Sequence, residues 1–256
     1  MIKCKSPREI DLIRQAGAIV GGALNLSSAL AKPGVTTKSL DEAIVKYITE
    51  KGGKAAFKGY RGYPANICAS VNEEVVHGIP DKRVLKAGDI VSVDIGVCYK
   101  GYYADAAVTV PVAGIKPETQ RLVDVTRESL RRAINKIRAG IKLSEISATV
   151  QDFVESNGFS VVRDLVGHGI GSAMHEDPQI PNYVDKNVTR MEDNIILKEG
   201  MVLAIEPMVN QGDYEVDTLS NGWTVVTRDR KLSAHFEHTV LVKEAGSEIM
   251  TSVMNH

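Results

Sequence analysis

Apolar residues return at helical spacing soon after the chain begins. Following Ser6-Pro7-Arg8-Glu9, positions Ile10, Ile13, Ala16, Val20 and Leu24 form one stripe, and Ser6 before Pro7 reads as an N-cap with proline in the first helical turn. Pro33-Gly34 ends that helix. A second helix, from about Ser39, carries Leu40, Ile44, Tyr47 and Ile48 on one face and stops at Gly52-Gly53. The arrangement returns 106 positions later (140 minus 34), where Gly140, Ile146, Val150, Phe153, Val154 and Gly158 repeat Gly34, Leu40, Ile44, Tyr47, Ile48 and Gly52. Apolar strand-like runs repeat as well. Leu85 to Asp94 (LKAGDIVSVD) returns as Leu197 to Glu206 (LKEGMVLAIE), a shift of 112 (206 minus 94), and Asp105-Ala106-Ala107-Val108-Thr109-Val110 is echoed by Glu237-His238-Thr239-Val240-Leu241-Val242. The acids are 11 residues apart in the first half (105 minus 94) and 31 in the second (237 minus 206), which a longer loop explains. Val76-His77-Gly78-Ile79 similarly resembles Gly167-His168-Gly169-Ile170. Without a low-complexity linker between the halves, the expectation is one α+β unit over residues 1–256, with a pseudo-repeat of roughly 6–112 and 115–245 and helices outside a curved antiparallel sheet.

Each strand pair delivers carboxylates. Alternation puts Asp94 on one face with Ser92, Glu206 with Ala204, Asp105 with Ala107, and Glu237 with Thr239, so small neighbours leave room around four converging acids. A buried, unpaired carboxylate is costly, and no Arg or Lys recurs at matching spacing to neutralise them. Divalent cations suit such oxygen ligands. His168, flanked by glycines in Leu165-Val166-Gly167-His168-Gly169-Ile170-Gly171, is the candidate nitrogen ligand. His77 and His175 have no acid at ligand spacing in a repeat and suit hydrogen bonding to a substrate carbonyl or amide.

Composition narrows the partners. The chain has 256 residues, 43% hydrophobic and 25% charged, which is ample for a sizeable core. A net charge of -1 and a pI near 6.6 argue against general attraction to DNA or to a membrane surface. Cys4, Cys68 and Cys98 are odd in number and lack Cys-x-x-Cys spacing, which fits a reducing compartment. The N-terminus has no apolar signal core, and no run approaches the ~18 apolar residues of a membrane span, so a cytoplasmic location is expected.

Several short motifs together resemble the type I, bacterial-type methionine aminopeptidases, metal enzymes of the pita-bread fold. They are Gly59-Tyr60-Arg61-Gly62-Tyr63-Pro64, Asn72-Glu73 before His77-Gly78-Ile79-Pro80, Asp94-Ile95-Gly96, Gly101-Tyr102-Tyr103-Ala104-Asp105, Gly167-His168-Gly169-Ile170-Gly171, His175-Glu176-Asp177-Pro178, Glu206-Pro207 and Glu237-His238-Thr239. The resemblance implies that Asp94, Asp105, His168, Glu206 and Glu237 hold two divalent ions (Co, Mn, Fe or Zn), with Asp105 and Glu237 bridging. Two ions roughly 3.5–4 Å apart can hold a bridging hydroxide, polarise the scissile carbonyl and bind the free α-amine. Glu206 would shuttle the proton from water to the leaving amine, with His77 and His175 on the substrate backbone. The same resemblance puts Tyr60, Tyr63, Cys68 and Trp223 along a slot for the methionine side chain. It also implies a monovalent cation at carbonyl groups near Asn72 and Ser233.

Phe57, Arg61, Met174 and His235 depart from the commoner bacterial pattern, which bears on pocket width, inhibitor response and preference beyond the first peptide bond. Implied partners are nascent polypeptide N-termini and the ribosome near its exit tunnel, for a monomer with no membrane or specific DNA partner. Prolidase- or aminopeptidase P-like chains share the fold and ligands but carry an additional N-terminal domain, which is not expected before Met1. A pita-bread scaffold that has lost catalysis is the third possibility, and the intact ligand set counts against it.

Overall fold

The computed structural model describes residues 2–185 and 192–252. The first half runs α1 (Pro7–Leu30), α2 (Thr37–Glu50), β1 (Lys54–Ala55), β2 (Cys68–Val71), β3 (Glu74–Val76), β4 (Ile90–Tyr99) and β5 (Tyr102–Pro111). The second half opens with α3 (Pro117–Lys136) and α4 (Leu143–Ser156), then β6 (Ser160–Val161), β7 (Val166–Gly169) and β8 (Glu176–Pro181). It continues through β9 (Val202–Ile205), β10 (Met208–Asn210), β11 (Val216–Thr218), β12 (Val225–Thr227), β13 (Ser233–His235), β14 (His238–Val242) and β15 (Ser247–Ile249).

The helices start where the chain chemistry places them. Ser6 caps α1 in a reciprocal box: its hydroxyl accepts from the Glu9 amide, and Glu9 Oε2 accepts from the Ser6 amide at 2.8 Å. The second helix begins two residues before Ser39, because Thr36 forms the cap and Ser39 completes the box. Each helix pair then buries its apolar stripe on its own sheet. Ile13, Leu24, Leu40, Ile44 and Ile48 cluster with Val91, Val93 and Ile95, whereas Leu122, Ile146, Val150 and Val154 cluster with Leu203, Ile205 and Val240. Fully burying one such side chain contributes roughly 1.5–3 kcal/mol. No helix among the described residues is long and apolar enough to cross a membrane.

The two halves are related element by element. The bounds of α2 and α4 differ by 106 at both ends (143 minus 37, 156 minus 50). Isolated antiparallel bridges Thr36↔Val84 and Lys142↔Ile196 follow the same shifts of 106 and 112. Gly34 N–H donates to Leu85 O at 2.9 Å, and Gly140 N–H donates to Leu197 O at 2.9 Å.

Register corrects two of the sequence matches. Asp94 pairs with Ala107, while the pairing of His238 with Ile205 sets Glu237 opposite Glu206. The structural equivalent of Glu237 is therefore Ala107, a shift of 130 (237 minus 107), and Asp105 corresponds to His235. Main-chain bonds confirm this: Val112 N–H donates to Asp89 O at 2.8 Å and Val242 N–H to Met201 O at 2.9 Å. The histidine echo fails in the same way. Ser70 pairs with Ser92 and His168 with Ala204, so the counterpart of His168 is Ser70 rather than His77.

All strand pairings are antiparallel, but the expected curved sheet is built in pieces. One sheet runs β1-β4-β2 with β5 on β4, and the other runs β15-β14-β9-β7-β8, with two smaller sheets, β13-β10-β6 and β11-β12-β3, alongside. The main sheets meet edge to edge at β5 and β14. There Glu237 N–H donates to Ala107 O at 3.0 Å and Ala107 N–H to Glu237 O at 3.4 Å. Threonine hydroxyls continue the seam on both sides. Thr239 Oγ1 accepts from Asp105 N–H at 3.0 Å and donates to Asp105 O at 2.8 Å, while Thr109 Oγ1 accepts from His235 N–H at 2.8 Å and donates to His235 O at 2.8 Å. A pseudo-two-fold axis thus passes between Ala107 and Glu237.

Candidate metal centre and active site

The acids come together at this seam. Asp94 and Asp105 rise from the paired strands β4 and β5, Glu206 follows β9, and Glu237 precedes β14. His168 enters from β7, where the neighbouring glycines allow close strand packing: a Cβ at Gly167 would stand 2.4 Å from Ala204 O, and one at Gly169 2.2 Å from Asp177 O. Oxygen or nitrogen atoms of Asp105, His168 and Glu237 all lie within 4.8 Å of one another, and all three residues are buried. His168 Nε2 is 3.4 Å from Asp105 Oδ2 and 3.6 Å from Glu206 Oε1. Its Nδ1–H donates to Gly169 O at 2.8 Å, which fixes the tautomer and aims Nε2 at the acids. Every residue that the sequence assigned to metal, substrate or catalysis lines a single pocket: Asp94, Asp105, His168, Glu206, Glu237, His77, His175, Tyr60, Tyr63, Cys68 and Trp223.

This cluster resists carrying its own charge. Burial, then Asp105 and Glu206, push the Asp94 carboxyl well above its ordinary range. Burial and the neighbouring acids do the same to Glu237. Glu206 is raised to about 8, chiefly by burial, with His168 working in the opposite direction. Burial opposes charge on His168, but Asp105 and Glu206 outweigh it and hold the imidazole at about 9. Asp94 Oδ1 is buried and finds no hydrogen-bond partner. Among the described residues no lysine or arginine forms an ion pair with any of the four acids. An orphaned carboxylate oxygen, converging acids and one oriented imidazole nitrogen form a donor set that fits divalent cations.

The walls divide into a hydrogen-bonding side and an apolar side. The Tyr60 hydroxyl lies 2.9 Å from His175 Nδ1, and the two rings stack with centroids 5.2 Å apart. Burial, then His168, lowers His175 to about 4, and burial lowers His77, so both imidazoles are neutral at pH 7. His77 itself has a left-handed backbone (φ 59), and its ring meets Trp223 edge-on at 6.5 Å. On the apolar side Tyr63 meets Trp223 at 5.2 Å, with the Tyr63 hydroxyl donating to backbone carbonyls of Ile67 and Gly78. Cys68, opposite Asp94 in the strand register, is raised by burial and by Asp94, so it contributes a neutral thiol to the slot.

Three of the four unusual residues, Phe57, Arg61 and Met174, also line the pocket. Gly96 makes space for two of them, since a Cβ there would stand 2.6 Å from Phe57 Cε1 and 2.7 Å from Met174 Cε. His235 is different: it is buried on β13 with Nε2 unpartnered, and burial lowers it to about 3. Asn72 and Ser233 are brought together, but by a direct bond from Ser233 N–H to Asn72 O at 2.9 Å.

Two supports escaped the sequence reading. Thr239 Oγ1 contacts Asp105 Oδ1 at 3.1 Å as well as its backbone. Glu176, next to His175, is ion-paired with the buried Lys5 and accepts from the Ser172 and Ala173 amides. Only the Gly-rich turn before Glu176 hinted at that arrangement.

The fold and this site define a metallopeptidase. The sequence profile described as metallopeptidase family M24 matches residues 11–244, and the chain belongs to that family. Its similarity to bacterial-type methionine aminopeptidases runs the full length. It is 50% identical to methionine aminopeptidase of Clostridium perfringens, covering 99% of this chain and 100% of that one. It is 49% identical to methionine aminopeptidase 1 of Bacillus subtilis over the same shares. The crystal structure of methionine aminopeptidase from Thermotoga maritima superposes with a TM-score of 0.94 at 48% identity, covering 98% of this chain and 100% of that one. A prolidase from Pyrococcus furiosus, 21% identical, shares the fold with a TM-score of 0.79 over 98% of this chain and 66% of its own. The enzymatic class is that of a methionyl metallo-aminopeptidase.

Proposed function

We propose that this enzyme removes the N-terminal methionine from nascent polypeptides whose second residue is small, and that Asp94, Asp105, His168, Glu206 and Glu237 together hold two divalent ions. The observation that carries the reading is the single pocket, with a floor of four acids and one imidazole and an apolar wall of Tyr63, Cys68 and Trp223. When bound, divalent cations supply a Lewis acid for the scissile carbonyl and an acidified water. Glu206 handles the proton: with cations beside it the carboxylate is ionised, accepts a proton from the attacking water and passes it to the leaving amine. His175 takes the tautomer set by the Tyr60 hydroxyl at Nδ1, which leaves Nε2–H to donate to the substrate carbonyl as negative charge develops. The neutral His77 binds the substrate backbone from beside Trp223. The apolar wall takes the methionine side chain, whose polarizable sulfur packs well against aromatic edges.

Hydrolysis of Met-Ala-Ser, Leu-Ala-Ser and Ala-Pro-Ser with a panel of divalent metals tests the proposal. Rapid release of methionine from the first peptide alone is the expected result. Faster cleavage of the Ala-Pro bond would transfer the enzyme to the prolidase branch.

A further inference from the structure

Among the described residues that line the pocket, Arg61 is the single lysine or arginine. It is exposed, whereas Asp105 and Glu237 on the floor are buried. The turn that carries it is built for the placement: Gly59 and Gly62 have φ of 85 and 90, and Arg61 itself adopts φ 50, a state that an arginine enters only at an energetic cost. Bonds from Gly59 N–H to Tyr63 O at 2.8 Å and from Tyr63 N–H to Tyr60 O at 2.9 Å close the turn. The guanidinium lies over the Tyr60 ring, 5.5 Å from its centroid, and Tyr60 is the residue bonded to His175. No carboxylate among the described residues forms an ion pair with Arg61. The mouth therefore carries an uncompensated positive charge beside a residue that orders the catalytic wall.

A peptide enters such a site amino end first, which leaves the residues beyond the scissile bond at the mouth. The second residue sits at the rim, where the proposed aminopeptidase reading requires a small side chain, and the third is the first free to carry a long one. The geometry points to Arg61 as a carboxylate-recognising residue that favours substrates with Asp or Glu in third position. This selectivity rests on the aminopeptidase reading and adds a second rule to it. An exposed charge pair of this kind gives a preference for Asp over Asn of about two- to fivefold, which salt weakens.

Competition assays with the manganese(II)-loaded enzyme test it, using Met-Ala-Asp-Ser, Met-Ala-Asn-Ser and Met-Ala-Lys-Ser, all amidated at the C-terminus. The expected order of kcat/KM is Asp over Asn over Lys, narrowing as ionic strength rises. Arg61→Gln should bring the Asp-to-Asn ratio to about one, and Arg61→Glu should invert the Asp-to-Lys order. Each ratio is taken within one enzyme, so changes in overall turnover cancel. Equal cleavage of all three by the parent, or a preference that survives Arg61→Gln, overturns the role of Arg61 and leaves the aminopeptidase reading standing. A free-acid Met-Ala-Asn cut faster than its amide, without any effect of an Asp side chain, would move recognition to the chain end and overturn the third-residue rule. Failure to cut any Met-Ala peptide would defeat the aminopeptidase reading, and this inference with it.

Discussion

Thr239 holds Asp105 as Thr109 holds His235: each hydroxyl accepts a backbone N–H and donates to the carbonyl of the same residue across the seam. The two threonines are pseudo-symmetric counterparts, yet only Thr239 also touches a carboxylate oxygen, at 3.1 Å. Thr239→Val should therefore lower metal affinity or turnover roughly 10- to 100-fold, the usual consequence of losing a partner that orients a ligand. Thr109→Val, which touches no acid, should alter thermal stability without a comparable loss of bound metal. Metal titration of the two variants checks the contrast, and equal affinities would remove Thr239 from the site's support.

Asp105→Ala and Glu237→Ala should each abolish activity and reduce bound metal, because both acids belong to the tight cluster with His168. Circular dichroism should remain near that of the parent, since the hydrophobic clusters lie elsewhere. Elemental analysis showing full metal content with normal turnover in either variant rejects the ligand assignment.

Glu206→Gln preserves shape and removes the proton acceptor. Turnover should fall by roughly 10²-fold or more, with modest change in substrate affinity. Steady-state kinetics decide the matter, and turnover within threefold of the parent rules out Glu206 as the shuttle.

Metal binding should be linked to proton release. Glu206 is raised from 4.5 to about 8 and His168 from 6.5 to about 9, burial being the largest influence on each and favouring charge loss on both, with Asp105 prevailing at His168. A raised group stabilises the metal-free fold fully below its unfolded value and loses that contribution as pH rises through its folded value. The windows are thus 4.5 to about 8 for Glu206 and 6.5 to about 9 for His168. The Tm of chelated protein should fall across this range, and the increase on adding manganese(II) should grow. Calorimetric heats that depend on the ionisation enthalpy of the buffer would register the displaced protons. A metal-induced Tm increase that is constant with pH contradicts the linkage.

The chain's own second residue supplies another test. Ile2 is bulky and β-branched, so a rim that admits only small second residues cannot accept Met1-Ile2. A peptide that begins Met-Ile should resist cleavage under conditions in which one that begins Met-Ala is cut. Equal cleavage of Met-Ile and Met-Ala peptides would end the small-second-residue rule.

The sequence exposed what is local or periodic. Leu40, Ile44 and Ile48, and their repeats Ile146, Val150 and Val154, mark buried helix faces by spacing alone, and the 106-residue shift holds at both ends of α2 and α4. The four acids were legible because each adjoins an apolar run, Asp94 and Glu206 following one and Asp105 and Glu237 opening one. Matching them as like with like misjudged the seam by two residues, since side-chain similarity pairs Asp105 with Glu237 whereas backbone hydrogen bonding pairs Ala107 with it. Contacts such as Tyr60 with His175, or Lys5 with Glu176, span more than 100 positions and leave no periodic trace.

A site placed on a two-fold axis would, if the symmetry were perfect, accept a peptide equally well in either chain direction. This axis is broken at its centre: Ala107 faces Glu237, and Asp105 is mirrored by the buried His235. The two sides of the axis therefore carry different side chains, Asp105 and Ala107 on one and His235 and Glu237 on the other. A pairing of like halves thereby acquires polarity, and an enzyme that must distinguish the amino end of a chain from everything after it can do so from the middle of its own symmetry.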